Sequence, residues 1–317
     1  MTNRLLTFAK IAFGLTLICI ISWRFDPHSI LNAIGSYSIL PVLIAVLLFL
    51  LASLIATSRW RLYVPGFRYK VLLRLFFIGQ FYGMLLPGQL AGEAVKAYRI
   101  AKGQAEKTSL ITSVIVDRVV STLAMLFLGA FGLGLTPLDI SPALSISLFV
   151  LTALLCAMLI GLRIPVVFGL FVGASEQFRR IGPRSAKAAS AIDRFLSVWR
   201  DYSKAPFTLL LSFVLALVFH FMAVALYAIL AFDLGIHVTL VDWLWINAVV
   251  SLALVLPVTI AGIGVREGVL IGSLGILGVP GEQAIALSIG LFALMVLGAL
   301  IGWWAEITYP DPVASSQ

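Results

Sequence analysis

The sequence predicts an all-α polytopic membrane protein: six full spans plus two re-entrant helical hairpins in an inverted repeat, eight apolar segments in all. Three observations carry that expectation. The chain is 61% hydrophobic and only 11% charged over 317 residues, and a soluble core has no need of helices that are apolar on every face. Its basic residues gather between the apolar runs. Finally, a proline–glycine break occurs twice: Leu86-Pro-x-x-x-Ala-Gly-x-x-Val-Lys96 returns as Leu256-Pro-x-x-x-Ala-Gly-x-x-Val-Arg266.

The first apolar run, 5–23, starts with Arg4 and Lys10 and so looks like a signal peptide. The residues after it, Arg24, Phe25, Asp26 and Pro27, offer no small-residue cleavage site, so it is expected to stay as the first span. Further spans are expected at 40–57, 110–135, 143–162, 207–232 and 284–305, each near the roughly 20 residues that a crossing takes. Two other apolar regions, 71–101 and 243–278, are too long for one crossing and hold the repeated break near their middles. Each is expected to run as helix, break and helix, entering and leaving on the same side.

On that arrangement every Lys and Arg among the 22, except Arg24, Arg118 and Arg266, falls on one side. Such asymmetry marks the cytoplasmic face, so both termini are expected there. The run 5–23 then leaves the cytoplasm and 143–162 returns to it. The halves 5–135 and 143–305 are therefore inverted, with one hairpin opening to each face. Eight plain crossings would instead put the basic stretches 59–74 and 96–107 on opposite sides, which the charge rule disfavours.

The chain is thus read as one transmembrane domain, 1–317, with a cytoplasmic amphipathic loop at 173–206 and a short tail at 307–317. In the loop Ile192, Phe195, Leu196, Trp199 and Tyr202 recur at helical spacing among Lys187, Arg194, Arg200 and Lys204. That pattern fits a helix lying on anionic lipid or docked on the protein's own cytoplasmic face. The formal charge of +8 then reflects orientation and anionic headgroups, not nucleic acid. Cys19 and Cys156 lie inside apolar runs, so neither a disulfide nor a metal site is expected from them.

Paired interrupted helices in the two halves of a transporter point to its substrate site. In the first break Pro87 removes a backbone donor and restricts Leu86, while Gly88 and Gly92 let the chain turn and approach a ligand. The helix that restarts carries Glu93, Lys96 and Arg99 at spacings of three, and its amino end favours an anion such as a lipid phosphate. Snorkelling of Lys96 and Arg99 to headgroups is the plainer alternative.

The second break holds Pro257, Gly262, Gly264, Arg266 and Glu267. An Arg–Glu pair beside a break marks a polar cavity or a structural plug, because it is costly in lipid. Asp117 and Arg118 sit within a span and are expected to face the bundle interior, Asp117 pairing with Lys96 or Arg118 with Glu93. His220 reads as a hydrogen-bonded packing residue, and Glu306 beside Trp303 and Trp304 as an interfacial anchor.

The order "LPG…AGEAVKAYR", "VIVDR", "LP…GIGVREG" resembles the transmembrane region of lysylphosphatidylglycerol synthases and of stand-alone flippase-like proteins, over about residues 5 to 305. The motif Ala-Gly-Glu-Ala-Val-Lys stands where a Gly-Gly-Asp-x-x-Arg-like pattern is commoner, keeping both charges. The resemblance implies a multi-pass protein of the bacterial inner membrane that moves lipid between leaflets. It puts Glu93, Lys96, Asp117, Arg118, Arg266 and Glu267 near the lipid path. The resemblance covers the transmembrane region alone, so the aminoacyl-transfer activity of the full synthases is not expected, and a separate lipid-modifying synthase is a possible partner.

The function expected is translocation of an anionic or modified phospholipid or a polyprenyl-phosphate lipid, without cofactor or catalytic residue. No phosphate-binding Gly-x-x-x-x-Gly-Lys loop supplies an energy source. The competing readings are a non-transporting accessory protein of envelope lipid synthesis and an intramembrane lipid-phosphate transferase. For the transferase the acids are isolated, not clustered for a divalent metal.

Overall fold

The apolar runs become helices throughout the described part of the molecule. A computed structural model describes residues 28, 32, 35–86, 90–136, 142–161, 165–255, 259 and 261–308. The expected first span at 5–23, Cys19, Pro87, Gly88, Pro257 and most of the tail lie outside these residues. The helices are α1 (Ile39–Arg61), α2 (Tyr69–Leu85), α3 (Leu90–Ala101), α4 (Lys107–Leu135), α5 (Pro142–Gly161) and α6 (Pro165–Arg179). They continue as α7 (Pro183–Ser203), α8 (Pro206–Asp233), α9 (Leu240–Val255), α10 (Val265–Ile276) and α11 (Gly281–Thr308).

Among the described residues α1, α4, α8 and α11 are long and apolar enough to cross a membrane, with shorter apolar stretches at Ile146–Ala157 and Leu240–Val255. In a bilayer all backbone polar groups must be satisfied within the chain, and a helix does this by itself. Ile39, Leu43, Leu47, Leu51 and Leu54 of α1 are exposed at spacings of three and four, as suits a stripe facing lipid. The two regions with the repeated break are each a pair of packed helices, α2 with α3 and α9 with α10. Leu86, just before Pro87, is extended at φ −95° and ψ 150°, the conformation a following proline imposes.

The packing is exchanged between the halves. The first arm of each helix pair lies against the long helix that closes the other half: α2 on α11 and α9 on α4. The second arms stay at home, α3 on α4 and α10 on α11, while α1 meets α8 between the halves. Glycine makes both exchanged contacts close. A Cβ on Gly302 would stand 2.0 Å from the Phe77 carbonyl oxygen, and one on Gly132 would stand 2.7 Å from that of Val241. Backbones approaching this closely gain dispersion contact that larger residues would block.

The loop expected at 173–206 is a helical lobe. Ser175 and Arg179 of α6 both bond Asp193 of α7. Leu196 and Trp199 are buried with Tyr63, Val116 and Val120, and the Tyr202 hydroxyl donates to the Tyr63 carbonyl at 3.1 Å. Burial holds the Tyr63 phenol well above its ordinary range; its hydroxyl donates to Ser212 at 2.6 Å. This face of α7 therefore docks on the protein itself, the second of the two expectations. The side chains of Lys187 and Phe195 are outside the described set.

Candidate functional site: two cavities beside the helix breaks

In the first hairpin α3 is helical from Leu90, which puts Lys96 in its second turn. Its side chain points inward and the residue is 3% exposed. Nζ lies 2.6 Å from Glu93 Oε2 and 4.7 Å from the centroid of the Trp60 ring. The arms can come this close because Gly79 and Gly92 face each other; a Cβ on Gly92 would be 2.1 Å from the Gly79 carbonyl oxygen. Snorkelling to headgroups does not describe Lys96. Arg99, one turn on, pairs with Glu306 of α11, which also accepts from the Tyr82 hydroxyl at 3.3 Å. Glu306 is thus an ion-pair partner of the hairpin as well as a neighbour of the exposed Trp303 and Trp304.

In the second hairpin Ala261, Gly262 and Gly264 all have positive φ, at 54°, 71° and 83°. Helix α10 begins only at Val265. Arg266 is 2% exposed and contacts Glu267 Oε1 at 2.8 Å. It also donates to Ser288 Oγ at 2.7 Å and Met295 Sδ at 3.2 Å and lies over the Phe292 ring at 5.2 Å. The Glu267 carboxylate accepts from Ser288 at 2.6 Å and from the Gly264 amide at 2.5 Å, capping the amino end of α10.

Asp117 pairs with neither hairpin. It receives Arg59 of α1, Nε at 2.7 Å and Nη2 at 3.1 Å. Arg59 also donates to Ser121 Oγ at 3.0 Å, and His220 Nε2 of α8 lies 3.2 Å from that oxygen. The sequence reading counted Arg59 with the cytoplasmic basic residues; it is instead buried as the counter-ion that a carboxylate needs in so dry a place. Both expected pairings, Asp117 with Lys96 and Arg118 with Glu93, are thus corrected, since Glu93 is taken by Lys96. His220 is hydrogen-bonded packing, as expected.

Two cavities open beside the breaks. One, of about 280 Å³, is lined by Gly79, Gln80, Gly92, Glu93 and Lys96 of the first hairpin. The other, of about 270 Å³, is lined by Ser121, His220, Asn247, Ser251 and Arg266. Arg118, Phe219 and Met295 belong to the walls of both. Successive helical residues point about 100° apart, which is how Asp117 reaches Arg59 while its neighbour faces the cavities. The arrangement brings Gly92, Glu93, Lys96 and Arg118 to one cavity and Arg118 and Arg266 to the other, with Glu267 paired behind Arg266. It leaves Asp117 and Arg99 in separate pairs, and Gly262 and Gly264 in the backbone turn.

Sequence reasoning missed Arg59, Trp60, Asn247, Ser251 and Ser288. The signal for Asn247 was present, an amide inside the apolar stretch from Leu244 to Leu254, where every polar group needs a reason. Among the described residues no group of three or more His, Cys, Asp or Glu side chains is gathered as for a metal ion.

Over residues 7–302 the chain matches the family described as Lysylphosphatidylglycerol synthase TM region. No curated protein and no solved structure matches it.

Proposed function

The chain belongs to the lysylphosphatidylglycerol synthase TM region family, and from that premise we propose that it is a flippase-like translocator. Its cargo is an anionic or modified phospholipid or a polyprenyl-phosphate lipid. The observation that carries this reading is the placement of one buried cation just after each helix break, Lys96 and Arg266, on adjacent cavities that share Arg118. Each cation is held by a carboxylate that a phosphate can displace, with charge-assisted bonds of the same kind.

In this reading the membrane holds six spans and two re-entrant hairpins, with inverted repeats at 5–135 and 143–305. Both termini are cytoplasmic in a bacterial inner membrane. The exchanged packing of α2 on α11 and α9 on α4 supports the repeat, because a pseudo-two-fold axis makes those two contacts equivalent. The first hairpin serves the inner leaflet and the second the outer. Thr259→Cys and Gln89→Cys, in a chain freed of Cys19 and Cys156, then label from opposite faces; labelling from one face would end the inverted arrangement.

The decisive experiment is lipid movement in proteoliposomes, followed by leaflet-specific quenching of labelled phosphatidylglycerol, a zwitterionic lipid and a polyprenyl phosphate. Headgroup-selective movement, lost in Lys96→Ala and Arg266→Ala, is the expected result. Folded wild-type protein that moves no lipid would remove the translocator and leave the accessory protein in its place.

A further inference from the structure

The two cavities hold three cations, Lys96, Arg118 and Arg266. Lys96 is balanced by Glu93 and Arg266 by Glu267. Asp117, the carboxylate next to Arg118 in sequence, is spent on Arg59. Among the described residues the Arg118 guanidinium has neither hydrogen bond nor ion pair. The break residues outside that set, 87–89, 256–258 and 260, contain no acid. Among the described residues the two cavities together therefore carry one unmatched positive charge. Within a membrane an unmatched charge is costly, and a ligand of opposite sign relieves it.

A second polar group here also lacks a partner. Asn247 of α9 is 4% exposed and lines the cavity with Ser251 and Arg266, yet its amide makes no hydrogen bond among the described residues. Buried side-chain amides nearly always find partners. One that borders a cavity is a docking point for a polar group that the ligand brings.

We infer that Arg118 and Asn247 read a lipid headgroup of net charge minus one, a phosphodiester bearing a hydroxylated substituent. The phosphate sits on the Arg118 fork, which matches two oxygens at once, and a hydroxyl meets Asn247, whose amide both donates and accepts. This rests on the reading of the cavities as a lipid path. It narrows the cargo by charge balance. A phosphodiester neutralises the space, a zwitterionic head leaves Arg118 unmatched, and an aminoacylated phosphatidylglycerol, net plus one, adds a like charge. The site thus favours the unmodified anionic lipid over its aminoacylated product.

Lipid retention by native mass spectrometry tests this separately from transport. The probes are phosphatidylglycerol, phosphatidylethanolamine, lysyl-phosphatidylglycerol and a polyprenyl phosphodiester sugar. Wild type is expected to keep phosphatidylglycerol or the polyprenyl diester at least about tenfold better than the lysyl lipid, as a difference of two unit charges beside a half-buried cation allows; the two anionic arms tell which tail is carried. Arg118→Gln should erase the preference, Arg118→Lys should keep the charge order with weaker retention, and Asn247→Leu should weaken the hydroxylated lipids alone.

Equal retention of the lysyl lipid by wild type, or an unchanged preference in Arg118→Gln of normal melting temperature, would overturn the inference. Arg118-dependent retention without movement in proteoliposomes would sustain it and remove the translocator. Movement without charge preference would do the reverse.

Discussion

The two hairpins share a sequence motif but not a backbone. In register, Gly92 matches Gly262, Ala94 matches Gly264 and Lys96 matches Arg266. The first hairpin is already helical at Leu90, whereas the second turns through three positive-φ residues and becomes helical only at Val265. The cause is local. Gly264 takes φ 83° freely, a conformation that would cost an Ala94-like residue about 1 kcal/mol or more. The matched glycines do different work: Gly92 lets two helices touch, and Gly262 makes a left-handed turn. What the repeat preserves is the burial of a cation, and each hairpin supplies a counter-ion by its own route. Glu93 is one helical turn from Lys96, while Glu267 is adjacent to Arg266 and needs Ser288 to complete the pair.

The largest test of this contrast removes the cations. Both Lys96→Ala and Arg266→Ala should lose transport, but their stabilities should differ. The Glu267 side chain is 13% exposed against 30% for Glu93, so stranding Glu267 costs more, about 3–5 kcal/mol for a buried pair broken on one side. Thermal melts in one detergent give the comparison, and equal losses would mean that the two carboxylates sit in equivalent surroundings.

Next come the glycines. Gly92→Ala drives a Cβ into the Gly79 carbonyl and should cost about 1–3 kcal/mol. Gly262→Ala meets only the tip of Leu254 and should cost about 1–2 kcal/mol through its positive φ. A Gly262 variant melting below the Gly92 variant would reverse the assigned roles.

Ser288→Ala removes one neutral group from two charged partners and should cost roughly 1.5–3 kcal/mol or less, with no effect on the first hairpin's accessibility to a cysteine reagent at Gln80→Cys. Smallest are the ring contacts. Trp60→Leu should weaken the hold on Lys96 by about 1 kcal/mol and Phe292→Leu that on Arg266 by about half as much, since indole is the stronger cation acceptor. Double-mutant cycles with each cation measure both.

Much of this was legible in the residues. Apolar runs place α1, α4, α5, α8 and α11 within a few residues, because a membrane helix needs only length and hydrophobicity to declare itself. The breaks declare themselves through Pro and Gly. Charge pairing was not legible. Arg59 looks like one more basic residue at a helix end, and only the packing of α1 on α4 brings it to Asp117. Nor does sequence separate Gly92 in a helix contact from Gly262 in a turn, since the letter is the same and the difference lies in which neighbour arrives. Asn247 was overlooked because one amide hardly alters the hydrophobicity of α9.

The exchanged arms have a mechanical consequence. Since α2 is seated against Gly302 and α9 against Gly132, each half of the chain holds a piece of the other like clasped hands. Neither half has a complete interior by itself, so the two should melt as one cooperative unit, and a chain cut between α4 and α5 should regain its fold only when both fragments are made together. Any opening of one cavity must then drag on the seat of the other.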